Sequence, residues 1–284
     1  MTHEQALAAL IRLALAEDVG EGDWTTIWTV PAHRSVEATI VAKADGVLAG
    51  IDAGHETFRT LDPAVAFAAE AADGEAIRSG QTVARLSGSA RSILTGERVA
   101  LNLLQRLSGV ATHTRAYVEA IAGTGARVLD TRKTTPGLRW LEKQAVTAGG
   151  GVNHRFGLYD MVLIKENHIR SAGGITAAVE AVAARNKSRL LLEVETTNLE
   201  EVAEALAVGV DRILFDNMPR ERLREAVQLV RDRAPSTETE ASGGVSLATI
   251  RGIAETGVDY ISVGALTHSA PALDLSLLVD VDGG

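Results

Sequence analysis

From residue 125 onward the sequence alternates short apolar runs with helix-length segments, and this pattern constrains the fold more than any other feature. The runs are RVLDT at 127–131, DMVLI at 160–164, LLLEV at 190–194, DRILF at 211–215, the weakest, TETEA, at 237–241, and VDYISV at 258–263. Such spacing predicts βα units on a parallel sheet. The helices between the runs are punctuated: Asn198 followed by Glu201 has the form of a capping box with Gly209 as its stop, Pro219 suits a first helical turn, and Ser246 and Gly257 bracket another helix. Six units are too many for a mononucleotide-binding half and predict a (β/α) barrel, complete or incomplete.

The N-terminal third reads as mixed α/β. Leu7, Leu10, Ile11, Ala14 and Leu15 recur at helical spacing and predict an amphipathic first helix ending near Gly20, while 36–43 (VEATIVAK) and 81–86 (QTVARL) read as strands. A helix is expected from Thr95 to about Leu107, with Leu101, Leu104 and Leu107 on one side and Arg98, Asn102 and Gln105 on another. That polar stripe reads either as a solvated face or as the wall of a site.

Composition removes several classes of function. With 28 Lys+Arg against 37 Asp+Glu the net charge is -9, so no global positive field attracts nucleic acid or anionic lipid. The absence of Cys excludes disulfides, thiolate metal sites and cysteine nucleophiles. Charged residues interrupt the N-terminal apolar stretch, which does not read as a signal peptide, and no run of about 18 uncharged apolar residues occurs. The expectation is a cytoplasmic protein with small-molecule substrates.

Each barrel run ends in reactive or phosphate-cradling residues. The ends carry Thr131, Arg132 and Lys133; Lys165; Glu195; Asp216 and Asn217; Ser242, Gly243 and Gly244; and Gly264. In parallel α/β folds the strand ends share one rim, so these residues are expected around a single cavity. Glycine turns supply backbone N–H groups for phosphate, and Lys and Arg supply countercharge. Glu195 and Asp216 are placed either to hold a divalent cation or to grip sugar hydroxyls. The loop GGGVNHRFG at 149–157 adds His154 and Arg155, concentrating cations in an acidic chain. One charge at one strand end is often idle; six such ends together point to a polyanionic ligand.

The blocks LNLLQRLSGVAT at 101–112, DTRKTTPGLR at 130–139, GGGVNHRFGLYDMVLIKENH at 149–168, EVE at 193–195, FDN at 215–217, ASGG at 241–244 and VDYISVGALTHSAPALDLSL at 258–277 closely resemble the quinolinate phosphoribosyltransferase family. The resemblance covers nearly the whole chain. It implies an N-terminal α/β sandwich-like domain over 1–110, rejoined by a C-terminal return at 270–284, and an open barrel of about seven strands over 111–269. The implied reaction joins quinolinate to 5-phosphoribosyl 1-diphosphate with Mg²⁺, releasing pyrophosphate and CO₂ to give nicotinate mononucleotide for NAD biosynthesis.

Carried over position by position, the resemblance assigns quinolinate to Arg98, Arg132, His154, Arg155 and Lys165, with Thr131 and Lys133 in the same DTRKT block. Lys133 and Lys165 would contact the diphosphate donor and the pyridine acid, Glu195 and Asp216 the ribose hydroxyls and Mg²⁺, and Ser242, Gly243, Gly244, Gly264 and His268 the phosphate. Lys133, Lys165, Glu195 and Asp216 are the implied catalytic set. A homodimer or hexamer is implied, with Arg98 reaching the partner's site. Gln144, Thr147, Glu166 and the Thr196-Thr197 pair depart from the residues more usual in the family. The alternatives are the related branch associated with molybdate transport, a nicotinate phosphoribosyltransferase without CO₂ release, and a non-catalytic anion sensor; buried carboxylates beside an anion weigh against the last.

Overall fold

The computed structural model describes residues 3–280. The chain forms two compact units, one comprising the described residues up to Arg115, 135–150 and those from Ser269, the other 116–134 and 151–268.

In the first unit, α1 (His3–Val19) buries Ile11 and Leu15 and is followed by Gly20 at a positive φ of 53°, the left-handed stop that glycine adopts most readily. Next come α2 (Trp24–Thr29), β1 (Ser35–Ala42), β2 (Gly46–Val47), α3 (Ile51–Leu61), β3 (Ala66–Ala69), β4 (Ala76–Ile77), β5 (Thr82–Ser89) and α4 (Ala90–Ala120). β1 pairs antiparallel with β5, which pairs with β3. Ile40, Val83 and Leu86 of this sheet share a core with Phe58 of α3 and with Leu101 and Leu104 of α4. The sequence pattern stops α4 near Leu107, but the helix runs on to Ala120. Gly109 does not end it: a Cβ there would lie 2.0 Å from the carbonyl of Pro271, so this glycine serves close approach of another segment.

The second unit's strands are β6 (Arg127–Leu129), β7 (Val162–Ile164), β8 (Leu192–Thr196), β9 (Arg212–Asp216), β10 (Glu238–Ser242) and β11 (Tyr260–Ser262). They form one parallel sheet in the order β6-β11-β10-β9-β8-β7. Val152 adds a seventh position as a single parallel bridge to Leu129. Among the described residues no ladder joins Val152 to β7, and the barrel is open there. The intervening helices are α5 (Arg139–Ala148), α6 (Glu166–Ala172), α7 (Ile175–Ala183), α8 (Leu199–Val208), α9 (Arg220–Arg233), α10 (Ile250–Ala254) and α11 (Ala265–His268). Asn198 caps α8 as its spacing predicts, accepting from the Glu201 N–H at 2.9 Å, while Glu201 returns to Thr197 N rather than to the cap itself.

Residues 135–150 lie within the segment expected to be barrel, yet pack with the first unit. Glu142 of α5 is fully buried and paired with Arg106 of α4 at 2.8 Å, and Arg115 donates to the carbonyl of Gly149 at 3.0 Å. The last strand, β12 (Leu275–Asp280), pairs antiparallel with β1 from Ala42↔Leu275 to Glu37↔Asp280, the expected C-terminal return. Residues 1–2 and 281–284, also assigned to that N-terminal domain, lie outside the described residues. No helix among the described residues is long and apolar enough to cross a membrane.

Candidate active site

The two-residue period of the barrel strands separates two environments. One face carries Val194, Ile213, Phe215, Ala241 and Ile261, all buried. The other carries Glu193 and Glu195; Arg212, Leu214 and Asp216; Glu238, Glu240 and Ser242; and Ser262. At the strand ends this polar face opens into a cavity of about 720 Å³ lined only by residues of the second unit. Thr131, Arg132, Lys133, His154, Arg155, Lys165, Glu195, Asp216, Ser242, Gly243, Gly244, Gly264 and His268 all line it. Arg98 does not: it stands on α4 in the first unit, its side chain 58% exposed and 3.9 Å from Glu97.

Local contacts fix several of these groups. Thr131 Oγ1 accepts from the Lys133 N–H at 3.0 Å, and Thr267 Oγ1 donates to the Lys133 carbonyl at 2.8 Å. Gly264 leaves the room that Lys133 uses, since a Cβ there would lie 3.0 Å from Lys133 Cδ and 3.2 Å from His268 Nε2. Lys165 Nζ stands 3.3 Å from Glu195 Oε2, while Glu195 Oε1 accepts from the Glu166 N–H at 3.2 Å. The Arg155 guanidinium donates to the carbonyl of Met161 at 3.1 Å. Burial, reinforced by the charge of Arg132, pushes the Arg155 guanidinium below its usual range, with Glu193 and Asp160 opposing the shift.

Asp216 and the glycine turn are built against each other. Asn217 holds a positive φ of 53°, and its Nδ2 donates to Asp216 Oδ2 at 2.9 Å. Gly243, at φ 97°, passes so close that a Cβ would lie 2.2 Å from Asn217 Oδ1. Gly244 follows at φ 60°, so the chain turns sharply past the carboxylate.

Beneath this rim lies a buried charged layer that the strand-end reading missed. His154 Nε2 is 3.1 Å from Glu193 Oε2 and 3.4 Å from Glu240 Oε2, and Arg212 reaches the same Glu240 oxygen at 3.4 Å. Below them Arg212 pairs with Glu238 at 2.6 Å and lies 4.4 Å from the centre of the Tyr260 ring. Burial pushes the His154 imidazolium down, against the hydrogen bonds and charges of Glu193 and Glu240, which push it up. Burial, with the charge of Glu240, raises Glu193 to about 7. Burial would also raise Glu240, but His154, Ser262 and Arg212 hold it below the ordinary carboxylate range. The group therefore keeps a proton that its members would give up in water. His154 Nδ1 already accepts from the Arg155 N–H at 2.7 Å, so the ring is neutral with its own proton on Nε2, and the retained proton belongs to Glu193. The missed signal was the alternation inside EVE and TETEA: the carboxylates that made 237–241 look weak as a strand are its inward residues.

Two places offer cation ligands. Glu195 and Asp216 present hard oxygens at neighbouring strand ends, a pair that suits Mg²⁺ when phosphates and water complete the shell. His154, Glu193 and Glu240 bring three ligand atoms within 4.8 Å of one another, though Arg212 already supplies positive charge there.

Fold and site together define an open α/β barrel whose strand-end cavity sets carboxylates among cations. Residues 23–108 match the family description "Quinolinate phosphoribosyl transferase, N-terminal domain" and residues 110–278 its C-terminal domain. The chain belongs to the quinolinate phosphoribosyl transferase family. It is 49% identical over 93% of its length to a probable carboxylating nicotinate-nucleotide pyrophosphorylase of Synechocystis, covering 90% of that protein. It is 44% identical to the decarboxylating quinolinate phosphoribosyltransferase 1 of Nicotiana glauca, over 97% of this chain and 83% of the relative. The solved nicotinate-nucleotide pyrophosphorylase of Francisella tularensis superposes with a TM-score of 0.93 at 40% identity, covering 99% of this chain and 98% of the other.

Proposed function

We propose that this protein transfers the phosphoribosyl group of 5-phosphoribosyl 1-diphosphate to quinolinate with loss of CO₂, giving nicotinate mononucleotide and pyrophosphate for NAD biosynthesis. The observation that carries the reading is the gathering, in a chain of this family, of Arg132, His154, Arg155, Lys133 and Lys165 around one cavity with Glu195 and Asp216.

Two arginines and a histidine suit an acceptor with two carboxylates, which guanidinium groups bind as forks. Ser242, Gly243, Gly244, Gly264 and His268 suit the phosphate end, through backbone N–H groups at the turn. As pyrophosphate departs, positive charge develops on the ribose; Glu195 and Asp216 place countercharge beside it, and Lys133 and Lys165 place positive charge toward the leaving group and the pyridine acid. Mg²⁺, held by Glu195 and Asp216 directly or through water, would supply further countercharge to the diphosphate. The pyridine nitrogen bonds to the anomeric carbon and becomes positive. The C2–carboxylate bond then breaks, CO₂ leaves, its electron pair stays on the ring carbon beside the cationic nitrogen, and a proton from solvent completes the product. No protein nucleophile is needed, in keeping with a chain that has no Cys.

Arg98, exposed on α4, is assigned to the active site of a second copy in a cytoplasmic dimer or hexamer. The test is an assay of purified protein with quinolinate, the donor and Mg²⁺, following nicotinate mononucleotide and CO₂ together. Equal yields are expected, with activity lost on chelation and restored by Mg²⁺. Donor binding without turnover of quinolinate would overturn the reading in favour of another acceptor or of the molybdate-associated branch.

A further inference from the structure

The floor of the cavity holds charges to which the proposed reaction gives no part. Glu193 on β8 and Glu240 on β10 are both fully buried, and both approach the same atom, His154 Nε2. Glu240 is well compensated: Ser262 Oγ donates to its Oε1, and Arg212 on β9 reaches its Oε2 at 3.4 Å. Glu193 is not, since its Oε1 is buried without a hydrogen-bond partner among the described residues. Buried carboxylates carry a heavy desolvation cost, and an apolar floor of equal volume would be cheaper. Their geometry indicates what they do instead.

The His154 ring is held at both nitrogens. Nε2 faces the two carboxylates, and Nδ1 accepts from the Arg155 N–H at 2.7 Å. A nitrogen that accepts from an N–H carries no proton, which fixes the ring as the Nε2–H tautomer. The His154 backbone N–H donates to Asp130 Oδ1 at 2.8 Å. Arg155 is thereby braced twice, its backbone by His154 and its guanidinium by the carbonyl of Met161. The groups facing the imidazole are thus Glu193 from β8, Glu240 from β10 with Arg212 from β9 behind it, and the Arg155 backbone at Nδ1, while Asp130 holds the His154 backbone.

We propose that Glu193 and Glu240 are positioning residues for the acceptor: by gripping His154 Nε2 from two strands they lock the imidazole, and through its other nitrogen the backbone of Arg155, in the orientation that meets the carboxylates of the pyridine acid. The inference rests on the quinolinate reading above. The contacts that make the grip run to His154 and Arg155 at the acceptor end, so the grip is expected to be selective for the acceptor over the donor.

The test combines kinetics with a measurement on ligand-free protein. Glu193→Gln and Glu240→Gln keep the shape and replace one carboxyl group each; each is expected to raise the KM for quinolinate about tenfold and to leave that for the phosphoribosyl donor within about twofold. In long-range ¹H–¹⁵N spectra of the wild type, His154, assigned by its disappearance in His154→Gln, is expected as a single Nε2–H tautomer, and in Glu193→Gln as a mixture. A wild-type Nδ1–H or mixed tautomer would overturn the proposal whether or not the variants fold. So would folded variants with unchanged quinolinate KM, or with KM raised equally for both substrates. If the wild type does not turn over quinolinate, the substrate assignment fails by that assay, while the His154 spectrum separately decides whether the grip exists.

Discussion

Gly243 and Asn217 show how little freedom single residues have at the rim. Asn217 adopts a left-handed conformation that amide side chains tolerate, and Gly243 combines positive φ with a contact that admits no Cβ. Gly243→Ala must displace Asn217 and, with it, the Asp216 carboxylate. The expected result is a loss of about 1–3 kcal/mol in urea unfolding together with at least a tenfold loss of kcat. Asn217→Gly keeps the backbone and removes only the amide, so stability should change by less than about 1 kcal/mol while kcat falls. Equal stability losses in both variants would show that the amide, and not the backbone conformation, carries the stability. Arg132→Lys probes the acceptor end: a lysine cannot replace a two-pronged guanidinium contact, and the KM for quinolinate should rise roughly tenfold or more with the fold unchanged by circular dichroism.

At the scale of elements, α5 depends on one buried ion pair. Glu142 accepts from Arg106 at 2.8 Å, from the Thr135 N–H at 3.0 Å and from Thr135 Oγ1 at 2.8 Å. Arg106→Ala leaves a fully buried carboxylate without its cation, an arrangement that costs about 3–5 kcal/mol. Chemical denaturation should show that loss, and the Arg106→Ala, Glu142→Gln double variant should recover part of it. This tether was not legible in the sequence, where DTRKTTPGLR through WLEKQAVTAGGG reads as one stretch of barrel. Glu142 and Arg106 are 36 residues apart, and only folding shows that they meet. By contrast, all six barrel strands and the cap at Asn198 were legible, because period-two alternation and capping are local effects. The four strands β2, β3, β4 and β12 were not read from periodicity, although the resemblance anticipated the return made by β12. β2 and β4 have only two residues each, and β3 is a four-residue strand of Ala and Phe whose pairing defines it more than its pattern does.

For the whole molecule, the buried cluster at His154 links stability to pH. The Glu193 carboxyl is raised above its ordinary 4.5 to about 7, so the folded chain holds a proton that the unfolded chain releases. That stabilisation is complete below about pH 4.5 and is lost as the pH rises through about 7. The urea midpoint should therefore fall between those values, and Glu193→Gln should flatten the decline; an unchanged midpoint in the wild type would contradict the retained proton. Assembly has its own test. If Arg98 completes a second copy's site, mixing inactive Arg98→Ala and Lys133→Ala chains should restore activity, since one site in each mixed dimer has both residues intact. Confirmed mixed dimers without recovery would place Arg98 outside the site.

By itself the sequence determined the parallel barrel, the polar residues at its strand ends and the family, because alternation, caps and motifs are written in neighbouring residues and survive without knowledge of the fold. The tertiary structure alone decided which buried groups keep a proton and which glycines admit no side chain. Glu193, Glu240 and His154 come from three separate segments, and their protonation depends on burial and on distances of about 3 Å that spacing along a chain does not encode. The same holds for the opening between Val152 and β7 and for the pairing of β12 with β1: both depend on backbone groups brought together from distant parts of the chain.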